Sequence, residues 1–273
     1  MDLKLAERLE DSDSLMNVAY AKAVERLQPQ LSPAYAFFSG GSVVYAGKNN
    51  PLSRAVGFGL RGQVAEEDLE FIEDFYRSRD SMTQIDLCPL AHSSLMHLLG
   101  ERNYQFGEFI NTWILELARL QLPDSLPGVE VREARESEGR IWMETVKYGF
   151  STVEESAAIP IEFFEPFLQM PNTHCFIAWI DGQAAGAGTV AINDGIASLF
   201  GTSTLTRFRN RGAQSALLRA RLRLALELNC ELAMVGTTPG SGSQRNVERA
   251  GFRLAYTKAQ MVKGWDSIAF GGV

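Results

Sequence analysis

Arg207, Arg209 and Arg211 stand just before Gly212, and an amphipathic run from Gly212 to Leu228 follows them. Arginine carries a planar fork of donors that suits phosphate oxygens. Glycine has no Cβ, so the backbone at Gly212 can approach a ligand closely. A helix N-terminus presents N–H groups that have no acceptor within the helix, together with a partial positive charge. The stretch therefore has the makings of a pyrophosphate cradle. Three more arginines, Arg219, Arg221 and Arg223, follow without an intervening acid. Their spacing suggests a solvated helix face.

Proton carriers and metal ligands are sparse. His174 precedes an apolar run and has the setting of a structural histidine, while Asp194 sits in an Asn-Asp-Gly turn. His92 and His97 are five residues apart, which is not the i, i+4 spacing of a metal pair. Cys88, Cys175 and Cys230 are odd in number and widely spaced. That pattern argues against a disulfide framework or a zinc site, and it suits a reducing cytoplasm.

The elements that must position these residues follow from periodicity. Residues 14–28 read as a helix. Ala34–Phe38 and Ser42–Ala46 flank Ser39-Gly40-Gly41 as a hairpin. Ala65–Arg77 is a helix, with Leu69, Ile72, Phe75 and Tyr76 at helical spacing. Thr83–Leu87 is a strand, His92–Leu99 a short helix, and Tyr104–Leu117 contains a strand. Two prolines and a glycine in Leu122–Gly128 mark a boundary, giving domains 1–122 and 123–273.

Beyond the boundary, Val129–Arg132 is a strand, and Glu138–Tyr148 and Ile161–Met170 are helical. Cys175–Ile180, Ala184–Ile192 and Ile196–Thr204 are strands joined by Asp181-Gly182 and Asn193-Asp194-Gly195. Gly212–Leu228 is a long helix and Leu232–Gly236 a buried strand. Ser241–Ala250 is a helix closed by Gly251, and Phe252–Val262 is the last strand. Leu98–Phe109 is faintly similar to Asn246–Tyr256, which suggests two related halves.

Composition sets the outer bounds. The chain has 273 residues, 45% of them hydrophobic, enough for one large core or two small ones. A formal charge of −7 speaks against a nucleic-acid partner. The first thirty residues lack the pattern of a signal peptide, and no apolar run reaches the ~18 residues of a membrane span.

Arg209-Asn210-Arg211-Gly212-Ala213-Gln214, followed by Ser215, resembles the Arg/Gln-x-x-Gly-x-Gly/Ala motif of the GCN5-related N-acetyltransferase (GNAT) family. Ala250-Gly251-Phe252 before the last strand resembles the family's closing element. The resemblance implies the acyl-CoA N-acyltransferase fold. That fold is α+β (three-layer α/β), a mixed, mostly antiparallel twisted sheet flanked by helices, here as two tandem GNAT-like domains. It also implies transfer of an acetyl group from acetyl-CoA to a primary amine, by direct attack in a ternary complex and without a metal. The other activity it admits is acyl-CoA binding or sensing without turnover.

On that frame the coenzyme contacts are Arg209, Asn210, Arg211, Gly212, Ala213, Gln214 and Ser215 at the pyrophosphate. Thr202, Ser203, Thr204 and Leu205 lie along the pantetheine and thioester, and Ser241, Ser243 and Asn246 on the last helix. The family's tyrosine acid falls on Val247, which cannot donate a proton; Tyr256 is the substitute candidate. Glu154 and Glu155 fall in the acceptor loop, with Glu155 the candidate base. Trp142, Tyr148 and Phe150 either line the acceptor side or pack the core. The first half lacks the motif, and its helix opens with Glu66-Glu67-Asp68, which would repel a pyrophosphate. The expected partner is a small-molecule or peptide amine acceptor, with no nucleic acid and no membrane. A homodimer stays open.

Overall fold

A computed structural model describes residues 2–118, 120–122, 127–150 and 159–264. The chain divides into two compact units. The first gathers the residues up to Trp113, residues 237–247 and the chain from Arg253 on; the second holds 114–236 and 248–252.

In the first unit, helix α1 (Leu3–Leu27) is followed by strands β1 (Ala34–Phe38), β2 (Gly41–Tyr45) and β3 (Ala55–Val56). Helix α2 (Glu66–Arg77), β4 (Thr83–Leu87), α3 (Ser93–Glu101) and β5 (Gln105–Glu116) come next. Leu69, Ile72, Phe75 and Tyr76 of α2 are buried with Leu95, Leu98 and Leu99 of α3 against Val43 and Ile85. The period-3.6 apolar stripe of α2 is thus what docks it on the sheet. Ser39 and Gly40 both have positive φ, the backbone that a two-residue hairpin needs.

Helix α1 begins eleven residues before the segment 14–28 suggested by the sequence, at Leu3, where the Asp2 carboxylate accepts from the Leu5 N–H at 2.8 Å. Its early turns face inward with polar residues. Glu10, Asp13 and Asn17 are all buried, at i, i+3 and i+7. Their counter-charges come from far along the chain. Lys258 lies 2.8 Å from Asp13 and 3.3 Å from Glu10, and Arg54 lies 3.2 Å from Asp13.

In the second unit, β6 (Glu130–Glu133), α4 (Gly139–Phe150) and a 3-10 stretch (Ile161–Gln169) lead to a three-strand meander. Strands β7 (Thr173–Ile180), β8 (Gln183–Asn193) and β9 (Ile196–Thr204) form it, and helix α5 (Ala213–Glu227) and β10 (Leu232–Thr237) complete the unit. Asp181-Gly182 and Asp194-Gly195 both have positive φ at both residues, so each hairpin closes with the twist its strands require. The strand order is β10-β9-β8-β7-β6, antiparallel except for the parallel pair β9/β10.

The units do not follow a cut at residue 122. Helix α6 (Gly242–Arg249) is followed by β11 (Arg253–Lys263), which pairs antiparallel with β4, from Ala259↔Leu87 to Lys263↔Thr83. The last strand of the second half therefore belongs to the sheet of the first. Strand β5 begins in the first unit and ends in the second. The faint repeat has a physical cause. Asn103 and Gly251 occupy the same place in it, and both take the left-handed backbone that ends a helix. Tyr104 and Phe252, next in line, are both buried.

Candidate functional site

Strands β9 and β10 pair only from Ile196↔Leu232 to Leu199↔Val235. Beyond that, β9 runs on to Thr204 without a β10 partner in the register, so the two strands part. On its other side β9 carries a bulge. Ala187 faces Ser203, while Thr189 faces Phe200, so the register shifts across Gly201 and Thr202. Gly201 has φ +56, a conformation in which a side chain is strained.

The bulge is fixed from two directions. Ser203 Oγ shares its proton between the carbonyls of Thr145 and Val146 on α4, at 3.2 and 2.9 Å. Gly149 of α4 sits so close to Ser203 that an added Cβ would lie 2.2 Å from its Oγ. On α5, the Arg221 guanidinium reaches the Thr189 carbonyl at 3.0 Å and Thr202 Oγ1 at 2.6 Å. A Cβ at Gly186 or Gly188 of β8 would meet Ser203 O at 2.9 Å or Arg221 Cζ at 3.1 Å. These glycines are what let α5 lie close on the strands.

Alanine is a better helix former than glycine by roughly 1 kcal/mol. Gly149→Ala is nevertheless expected to destabilise by about 1–3 kcal/mol, because α4 must back away from Ser203. Chemical denaturation checks it: an unchanged or raised midpoint would show that the α4–β9 contact is not tight.

At the end of β9 the chain turns through Thr206–Phe208 into α5. Gly212 is the N-cap residue with φ +86, and no side chain caps the helix. The first turn of α5 contains no acid. Its N–H groups are those a helix leaves without internal acceptors. Thr204 Oγ1 donates to Gln214 Oε1 at 3.3 Å, tying the strand end to the helix start. Gln214, in the place of a small residue, is thus a brace. The first half differs at the same point of its own unit. The Asp68 carboxylate accepts from the Ala65 N–H at 2.9 Å and from Ser39 Oγ, so the α2 N-terminus already holds an anion.

The three arginines diverge. Arg209 reaches back to the Gly149 carbonyl at 3.3 Å, and Arg207 stacks over the buried Phe208 ring, 4.9 Å from its centroid. Arg211 pairs with Asp181 at 2.8 Å on the surface. An exposed pair of this kind contributes ~0–1 kcal/mol, so Arg211 can exchange partners at little cost.

Other residues singled out by the sequence have different surroundings. Tyr256 is buried in the first unit, and its hydroxyl donates to Glu10 Oε1 at 2.6 Å. Burial and the Glu10 carboxylate push this phenol far above its ordinary range. Ser241 caps α6, accepting from the Gln244 N–H at 3.1 Å, and Val247 is buried. Ser243 and Asn246 lie on α6 as well. Trp142 is fully buried core, whereas Tyr148 is exposed. Glu154 and Glu155 lie outside the described residues. His174 Nδ1 is 2.9 Å from Glu133, and His92 caps α3 through its ring nitrogen. Among the described residues no three His, Cys, Asp or Glu side chains gather as metal ligands.

Arg221 corrects the sequence reading. It is 2% exposed, not part of a solvated face. Its phase was legible: it lies four residues after Leu217 and four before Ala225, both buried. Charge type outweighed phase, although Leu217 and Leu222 already marked that side as buried.

Residues 140–252 match the model of the acetyltransferase (GNAT) family. The chain therefore carries a domain of that family, in the acyl-CoA N-acyltransferase fold, within a tandem of two GNAT-like halves. Among solved structures, the chain is similar to a GCN5-related N-acetyltransferase from Kribbella flavida, with 18% identity and a TM-score of 0.65. That match covers 92% of this chain and 97% of the other. It is also similar to a tandem GNAT protein from the clavulanic acid biosynthesis pathway, at 14% identity and a TM-score of 0.60, covering 89% and 86%. No curated protein sequence matches the chain. None of the helices described is long and apolar enough to cross a membrane.

Proposed function

We propose that the chain is an acetyl-CoA-dependent N-acetyltransferase whose coenzyme site lies in the second unit. One observation carries this reading: an N-terminus on α5 with no acid in its first turn and no capping side chain, reached through a short turn from a strand that parts from its neighbour. The N–H groups of Arg211–Ser215 would receive the pyrophosphate, with Arg211 leaving Asp181 to join them. The backbone of Thr202–Leu205 would hold the pantetheine arm and the thioester. A neutral primary amine, on a small molecule or a peptide, attacks the thioester carbonyl, the coenzyme thiolate departs with the bonding electrons, and the proton that the nitrogen sheds passes through water to the thiolate. Positioning supplies much of the rate, since a thiolate is a fair leaving group. Tyr256 is not assigned as the acid, because its proton is committed to Glu10.

Isothermal titration with acetyl-CoA tests the site, and an absence of binding at millimolar ligand would sink the reading. A specific observation favours a second one, acyl-CoA binding without turnover: the family's tyrosine acid falls in sequence on Val247, a buried side chain with no proton to give. Thiol release with a panel of amines separates the two. Release with any amine excludes the second, while tight binding with no release across the panel favours it.

A further inference from the structure

Arg221 enters the interior of the second unit with no carboxylate beside it among the described residues. Its guanidinium is buried, and among the described residues no acid acts on its charge. A buried, unpaired cation is costly, and an apolar side chain of similar length would pack there at lower free energy. Burial by itself lowers this guanidinium to about 9. Its presence therefore has to be explained by what it touches.

Two of its three bonds serve one feature, and the third aims the side chain at it. Nε donates to the Leu217 carbonyl at 3.1 Å, which fixes the side chain along α5. One terminal nitrogen donates to the Thr189 carbonyl on β8 at 3.0 Å and to Thr202 Oγ1 on β9 at 2.6 Å. Thr189 borders the register shift between β8 and β9, and Thr202 lies within it. Gly188, on the strand beneath, leaves the room that the guanidinium fills.

We infer that Arg221 is a positioning residue: it bonds both strands from beneath and holds the β9 bulge so that Thr202–Leu205 can take the pantetheine arm. This rests on the acetyl-CoA reading above. The bulge interrupts the ladder, so without Arg221 the Thr189 carbonyl and the Thr202 hydroxyl lose their shared donor. The segment Gly201–Thr204 is then free to slide toward a regular register, and only the pyrophosphate cradle keeps its shape.

The test compares Arg221→Met, Thr202→Val and the exposed control Arg223→Met by calorimetry and hydrogen exchange. Two probes are used: acetyl-CoA, and adenosine 3′-phosphate 5′-diphosphate, which has the pyrophosphate but no pantetheine arm. Arg221→Met is expected to weaken acetyl-CoA at least tenfold, leave the fragment within twofold, and speed amide exchange at residues 201–204. Its melting temperature should hold or rise, since an unpaired buried charge has gone; a merely structural role predicts a fall. Thr202→Val is expected to give the same split, and it carries the test if Arg221→Met does not fold. Equal acetyl-CoA binding by wild type and both variants overturns the inference. If the wild type binds neither probe, the proposed function fails instead, and unchanged exchange at 201–204 would then overturn the positioning role as well.

Discussion

Lys258→Met is expected to cost about 3–5 kcal/mol of stability, because it strands buried carboxylates. Lys258 is 4% exposed and lies within 3.4 Å of Glu10, Asp13 and Asp86. Arg54 is the second cation of the cluster, 3.2 Å from Asp13 and 3.5 Å from Asp86. Three acids thus share two bases, and burial already raises the Glu10 carboxyl even with Lys258 beside it. Burial also raises Asp13, but Lys258 and Arg54 outweigh it and hold that carboxyl at about 2. The folded value of Asp13 lies below its ordinary 3.8. Its contribution is therefore complete above pH 3.8 and is lost as pH falls toward 2. Glu10 has the opposite sign: a raised folded value favours the native state at low pH and is lost as pH rises through it. With Lys258 gone, the Glu10 and Asp13 carboxyls lose the charge that holds them down and shift up. The deficit of the variant should then be largest near pH 7.5 and should narrow near pH 5. Urea denaturation at the two pH values decides it. A loss below about 1 kcal/mol, or an equal loss at both, would mean the cluster is not held by its charges.

That cluster also explains which parts of the fold could be read in advance. Strands β4 and β9 fall on the residues that their apolar runs and turn signals mark, because each is a short stretch buried on local patterning. Helix α1 is different. Its buried face carries Glu10, Asp13 and Asn17, which read as surface until Lys258 and Arg54 arrive from elsewhere in the chain. Pairing of β11 with β4 is equally invisible to periodicity, since register between distant strands is set by the assembled sheet. In the candidate site, Gly212 and the absence of acids after it were legible because both are local. The bulge at Gly201–Thr202 and the closeness of Gly149 to Ser203 were not, because they depend on which strands and helices meet.

Ser215→Asp is expected to move binding and stability in opposite directions. Ser215 is exposed at the third position of α5, the same position that Asp68 holds in α2. In α2 the carboxylate folds back on the Ala65 N–H, and the helix start is filled by the protein's own anion. An aspartate at 215 would copy that arrangement at the start of α5. It should stabilise the helix by about 0.3–1 kcal/mol through the dipole. It would also occupy the donors meant for pyrophosphate and repel its charge. Loss of one charge-assisted hydrogen bond, ~1.5–3 kcal/mol, predicts acetyl-CoA affinity falling roughly 10- to 150-fold. Ser215→Asn has the same shape without the charge and should stay within about threefold. Calorimetry and thermal melting on the three proteins make the comparison. If Ser215→Asp binds acetyl-CoA as well as the wild type, the pyrophosphate does not sit on α5. If both variants lose affinity equally, bulk rather than charge is responsible. Of the three acids in the first turn of α2, Asp68 is the one that folds back on the helix start, so a carboxylate at the matching place in α5 should turn the second unit's cradle into the first unit's closed helix start.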